Sequence, residues 1–311
     1  MFVALAIAIT PQTAVLKARG PEIGLKSFDR YEVVDRTKRP ITFYLSTGSE
    51  KLPLIVVIQG SGGQSEWIKM GDRVGGSLQA LALAVSGGKA RVMSIEKPGV
   101  PFLFQPKQPG SAEGCSEAFL KEHTLDRWSA AIRASIEGAV KLPQVDAKRV
   151  LVIGHSEGAM VAAKVGAECS AVTHVASLGG GMTNQRVQLA NLFGKLAVES
   201  EWKKIAADPQ STTKMWLGHP YRRWSTFCAT SCEQQLARLK RPAFAVQGSA
   251  DKNTDPTGFQ EGARRLASKN PKFKSLWLEG ADHSFSQPGD SPGNGLKKVF
   301  GQVFDWFLSV K

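Results

Sequence analysis

Cysteine is scarce in this sequence, four in 311 residues, and that scarcity excludes a small scaffold held together by disulfides. Cys115, Cys169, Cys228 and Cys232 have no Cys/His cluster at metal-ligand spacing around them, so no metal site is expected. Cys228 and Cys232 are close enough to bridge within a turn or a distorted helix, while Cys169 reads equally well as a buried free thiol. Low-complexity tracts, long Pro/Gly/Ser linkers and internal repeats are also missing. That leaves a packed globular chain.

A long hydrophobic run is lacking as well. The apolar stretch Phe2–Ile9 has the length of a signal-peptide core but no basic residue before it, and it is too short to span a bilayer as a helix. It is read as part of a separate N-terminal segment, residues 1–20, ahead of a main domain at 21–311. Export to the periplasm or medium is favoured over a cytoplasmic location, and no transmembrane span is expected. Charge is unbalanced, at 40 Lys and Arg against 27 Asp and Glu, a net +13. The basic residues are nevertheless scattered from Lys17 to Lys311, and no zinc-ligand, helix-turn-helix or RNA-binding signature accompanies them, so a nucleic-acid partner is not expected. Oligomeric state is left open.

What the chain does have is alternation. Short apolar runs at Leu54–Ile58, Arg91–Ile95, Val150–Ile153, Val172–Leu178, Ala243–Val246 and Ser275–Leu278 follow two earlier candidates near Tyr31–Val34 and Ile41–Leu45. Between them lie helical stretches at Ser77–Ala84, Leu125–Val140, Gly158–Ala167, Thr257–Ala267 and Leu296–Leu308. Runs this short and this apolar read as strands buried on both faces, so the fold class is α/β: a doubly wound, mostly parallel sheet of the eight-stranded type. Residues of about 183–240 interrupt the alternation with a polar, helix-like stretch carrying Trp202, Trp216, Tyr221 and Trp224, which is read as a helical cap inserted over the strand ends.

Directly after the run Val150–Ile153 comes Gly154-His155-Ser156-Glu157-Gly158, followed by a helical stretch. This is G-x-S-x-G in a strand–turn–helix context, where small residues leave room for a tight turn that exposes the serine. Ser156 is therefore the candidate nucleophile. His155, adjacent on a sharp turn, projects differently and is assigned a structural role, and Glu157 is expected to contribute its backbone N–H, its carboxylate being merely compatible with a helix start.

On these residues the chain resembles the α/β-hydrolase superfamily, and within it the dienelactone-hydrolase and prolyl-oligopeptidase-like branch, over roughly residues 50–310. The resemblance implies an acid and then a histidine later in the chain. Gly248-Ser-Ala-Asp251 resembles the family's G-x-x-D turn after a strand, and Gly280-Ala-Asp-His283 its G-x-x-H segment. Asp251 is thus the orienting acid and His283 the general base, with Asp255 the rival acid and Asp282 a remoter one. Asp255 precedes Pro256, a context suited to an N-cap of the next helix. Gln59-Gly60-Ser61-Gly62-Gly63 resembles the H-G-x-G oxyanion loop, with Gln59 where histidine is commoner, and assigns the two donors to the N–H groups of Ser61 and Glu157. His123, His174 and His219 lack such context and read as surface or cap residues.

The implied reaction is two-step hydrolysis of an acyl bond, with a carboxylic ester or thioester of a small molecule as the leading substrate class and no cofactor. A peptidase of the prolyl-oligopeptidase type is the enzymatic rival, and a non-catalytic binding protein on the same fold is a third reading. Trp67, Met70, Trp216 and Trp224 are candidates for lining the substrate pocket.

Overall fold

A computed structural model describes residues 13–310. Among the described residues nine strands form one sheet: β1 (Val15–Ala18), β2 (Phe28–Val34), β3 (Pro40–Ser46), β4 (Leu52–Ile58), β5 (Arg91–Ile95), β6 (Val145–His155), β7 (His174–Leu178), β8 (Ala243–Gly248) and β9 (Phe273–Leu278). Their spatial order is β1-β2-β3-β5-β4-β6-β7-β8-β9. The six strands from β5 to β9 in that order are parallel, and β1, β2 and β3 add an antiparallel edge. The strand beyond the expected eight is β1, whose Val15 and Leu16 lie exposed at the sheet edge. The apolar run Phe2–Ile9 lies outside the described residues.

The parallel strands are apolar throughout because both faces are covered. Along β4, Leu54, Val56 and Ile58 point into one core and Ile55 and Val57 into the other. The first core is closed by α3 (Leu125–Ala139), α4 (Glu157–Glu168) and α9 (Phe259–Lys269), the second by α1 (Leu78–Ser86) and α10 (Asn294–Ser309). Helix α10 follows its apolar stripe, burying Val299, Val303, Phe304 and Phe307. A short α2 (Glu117–Glu122) precedes α3.

Between β7 and β8 the chain makes α5 (Gln185–Phe193), α6 (Lys195–Ala207), a two-residue hairpin pairing Met215–Trp216 with His219–Pro220, α7 (Tyr221–Phe227) and α8 (Cys232–Leu236). This inserted segment has a small core of its own, Ile205, Tyr221, Trp224 and Cys228. Cys228 and Cys232, close enough in sequence to bridge, do not: all four cysteines are free thiols, and burial pushes Cys228 up to about 11 and Cys232 up to about 12. Among the described residues no helix is long and apolar enough to cross a membrane.

Candidate active site

Because β4, β6, β8 and β9 are parallel, the loops that follow them gather on one edge of the sheet, where ligands of open α/β sheets bind. Ser156 stands between β6 and α4 with φ 59° and ψ −124°, a conformation a residue with a Cβ rarely adopts. The strain is held by two main-chain bonds, Ser156 N–H to the Leu178 carbonyl (2.9 Å) and Ala159 N–H to the Ser156 carbonyl (3.0 Å). The flanking glycines are required by contact. A Cβ on Gly154 would lie 1.9 Å from the Gly158 oxygen, and one on Gly158 would lie 2.4 Å from the Ile58 oxygen.

Asp251 lies on the turn after β8, and its carboxylate is fully occupied. Oδ1 accepts the N–H groups of Asn253 (2.8 Å) and Thr254 (3.0 Å). Oδ2 accepts the Thr254 hydroxyl (2.7 Å) and the Gln247 amide (2.9 Å), and it lies 2.8 Å from His283 Nδ1. Burial alone would raise the Asp251 carboxyl, but the hydrogen bond and charge of His283 and the Thr254 donors bring it down to about 2. Gln247 and Thr254 carried no signal in the sequence, since an amide inside a strand and a loop threonine look ordinary. Asp282 does not reach this cluster: its Oδ1 accepts the N–H groups of Ser284 and Ser286 and so shapes the loop that carries His283. Asp255, also buried, accepts Thr257 N–H (3.0 Å) and the Asn191 amide (2.6 Å). The expectation that it caps α9 is corrected. Gly258, in the left-handed region at φ 82°, takes the N-cap position.

The loop after β4 brings Gly60 beside Ser156, where an added Cβ would lie 3.2 Å from the Ser156 Cβ, and Gly60 and Ser61 line the same cavity of about 560 Å³ as Ser156. Ser61, Ser156, Glu157 and His283 line its floor, and Gln185, Leu189, Phe193, Leu217, His219 and Trp224 of the inserted segment line its other walls. Trp216 stands one layer back, accepting the Trp224 indole N–H on its carbonyl oxygen (2.7 Å). The placement of Trp67 and Met70 at this cavity is corrected. They belong to a side hairpin, Trp67–Met70 with Arg73–Gly76, where Trp67 packs edge-on against Phe28 and Tyr44 and Met70 faces solvent.

The largest departure from the sequence reading lies beneath the cavity floor. The Glu157 side chain is buried inside a cluster of Lys97, His123 and Arg223. Its Oε1 is 3.3 Å from Lys97 Nζ and 3.1 Å from His123 Nε2, and its Oε2 accepts Arg223 Nε (3.0 Å) and Nη2 (2.6 Å). Burial alone would raise this carboxyl, but Lys97, His123 and Arg223 hold it well below its ordinary value. The surface reading of the three spare histidines is corrected too: His123 and His174 are buried in the body, and His219, though in the inserted segment, is buried as well. Burial lowers His123 and His174 to about 4, and burial with the nearby Arg223 charge takes His219 well below its ordinary value. Among the described residues no group of His, Cys, Asp and Glu is arranged to hold a metal ion.

Solved structures share this architecture at low identity. Est1E from Butyrivibrio proteoclasticus is 14% identical, with 92% of this chain and 100% of that one covered at a TM-score of 0.56. The esterase Pf2001 from Pyrococcus furiosus is 13% identical, with 96% and 98% covered at a TM-score of 0.58. The acylaminoacyl peptidase of Pyrococcus horikoshii is 15% identical, with 93% of this chain and 42% of that larger one covered at a TM-score of 0.60. Residues 55–292 match the sequence profile of the alpha/beta hydrolase family, a span that runs from β4 past the loop bearing His283, and the chain belongs to that family.

Proposed function

We propose that this hydrolase cleaves a carboxylic ester or thioester through an acyl-enzyme on Ser156. The observation that carries the reading is the convergence of a serine on a strained strand–helix turn with a histidine bound to a buried carboxylate, both lining one cavity. Asp251, ionised at neutral pH, accepts the Nδ1 proton of His283 and leaves Nε2 with its lone pair toward the nucleophile. Ser156 Oγ attacks the acyl carbonyl as Nε2 takes its proton. The alkoxide that develops is met by the N–H groups of Ser61 and Glu157; the latter opens α4, where the first N–H groups of a helix have no acceptor within the helix. The imidazolium returns its proton to the leaving oxygen or sulfur, and water repeats the sequence on the acyl-enzyme. Esters and thioesters are favoured because their leaving groups need the least protonation. The inserted segment is assigned the role of a cap, since its residues supply the apolar walls of the cavity.

A fluorophosphonate probe with a panel of p-nitrophenyl esters and aminoacyl anilides tests this reading. Labelling of the wild type, its loss in Ser156→Ala and turnover of esters over anilides are expected. Labelling retained in that variant would remove the assignment of the nucleophile, and preference for anilides would make the enzyme a peptidase.

A further inference from the structure

The ammonium of Lys97, two residues beyond β5, is buried, with its side chain 1% exposed. An ammonium has three protons to donate, and three acceptors surround this one: the carbonyl oxygens of Gly60 (2.5 Å) and Gly62 (2.8 Å) and the Glu157 carboxylate (3.3 Å). The Gly60 carbonyl belongs to the peptide unit whose N–H is that of Ser61. A peptide is planar and trans, so fixing the direction of its C=O fixes the opposite direction of its N–H. A cation on that oxygen also polarises the amide and strengthens the N–H as a donor. The third acceptor is the side chain of Glu157, the residue whose own N–H opens α4.

We infer that Lys97 is a positioning residue that sets both oxyanion donors at once, and that Arg223 clamps the same assembly from the inserted segment. This rests on the assignment of the donors made under Proposed function. Arg223, on α7, places its Nε and Nη2 on the far oxygen of Glu157, donates Nη1 to Gln185 (3.1 Å), and lies over the rings of Trp224 (4.1 Å) and Phe227 (4.5 Å). One carboxylate therefore joins the loop after β4, the start of α4 and the wall of the cavity. With His123 neutral, the cluster holds two cations and one anion. Either cation can be removed and leave a balanced pair, whereas losing Glu157 would strand two buried positive charges.

The test compares 4-nitrophenyl acetate with its thiono analogue, in which sulfur replaces the carbonyl oxygen and the developing anion is a poor hydrogen-bond acceptor. Wild type should prefer the oxygen ester strongly. Lys97→Met should lose about 10- to 100-fold in kcat on the oxygen ester, bounded by the effect of deleting one donor, with KM changed by less than about threefold and the thiono ester slowed much less. The oxygen-to-thiono ratio of kcat/KM should therefore fall by about tenfold or more. Arg223→Met should move the ratio the same way by a smaller factor, and it carries the test where Lys97→Met does not fold by circular dichroism. A ratio unchanged in the folded variants, or no preference in the wild type, overturns the inference. A wild type that hydrolyses neither ester and takes up no fluorophosphonate on Ser156 removes the parent reading, and this inference with it.

Discussion

His155 Nε2 lies 2.8 Å from the main-chain carbonyl oxygen of His283, so the residue just before Ser156 holds the backbone of the loop that bears the histidine. Burial and the nearby His283 lower His155 to about 4. It is neutral at working pH, with the proton on Nε2 donated to that carbonyl. The two imidazole rings lie 4.7 Å apart, and Phe285 stands against the far edge of His155 at 5.7 Å.

His155→Phe keeps the ring and deletes the donor. The stranded carbonyl should cost about 1–2 kcal/mol in denaturant unfolding, and loosening of the loop should lower kcat/KM by about tenfold with fluorophosphonate labelling of Ser156 retained. Unchanged turnover would mean that the turn made by Asp282 holds His283 unaided.

Asp251→Asn should lower kcat by on the order of 10⁴-fold, because an amide beside Nδ1 reverses the tautomer of His283. Asp255→Asn should leave turnover within about threefold and cost about 1 kcal/mol of stability, since its new amide would face the Asn191 donor. Steady-state kinetics and melting curves on the two variants separate these outcomes, and the reverse pattern would move the orienting role to Asp255.

Trp224 lines the cavity while Trp216 backs it, with ring centroids 5.0 Å apart. Trp224→Leu should therefore shift the ratio of kcat/KM between acetyl and octanoyl esters by about tenfold, the scale of one or two methylenes in an apolar pocket. Trp216→Leu should shift it less. Equal rates across the ester series in both variants would assign the two rings to packing alone.

Glu96 accepts the Ser65 hydroxyl (2.6 Å) and the Glu66 N–H (3.2 Å) on its two oxygens, yet burial raises its carboxyl to about 7. A carboxyl raised on folding binds its proton more tightly in the native state, so its penalty is absent below the unfolded value of about 4.3, grows as pH rises, and is complete above about 7. Glu96→Gln should gain stability over the wild type at pH 8, by about 4 kcal/mol at most, and little at pH 4. A variant that melts below the wild type at both pH values would show that the hydrogen bonds of the carboxylate outweigh its burial.

The sheet was legible because burial on both faces makes uninterrupted apolar runs such as Leu54–Ile58, and α10 because its stripe at Val299, Val303, Phe304 and Phe307 has the period of a helix. Strand β1 was not, since its exposed Val15 and Leu16 give no run to read. The buried cluster was illegible for a different reason. Lys97, Glu157 and Arg223 stand 60 and 66 residues apart, and a single charged residue reads as solvated until the fold brings its partner. Asp255 misled because Asp-Pro matches a helix start locally, whereas the chain takes a further turn through Gly258 before α9 begins.

The contacts around Gly154 and Gly158 alter what their recurrence in related chains would mean. Because a methyl group at either position strikes main-chain oxygen, a library randomised over residues 154–158 and sorted only for folded protein should return glycine at both ends. Sorting the same library for turnover should add a constraint at position 156 alone among the three small residues. Two of the letters in G-x-S-x-G thus report how closely a helix crosses the sheet, and a relative that kept both glycines while losing the serine would keep this architecture without the chemistry.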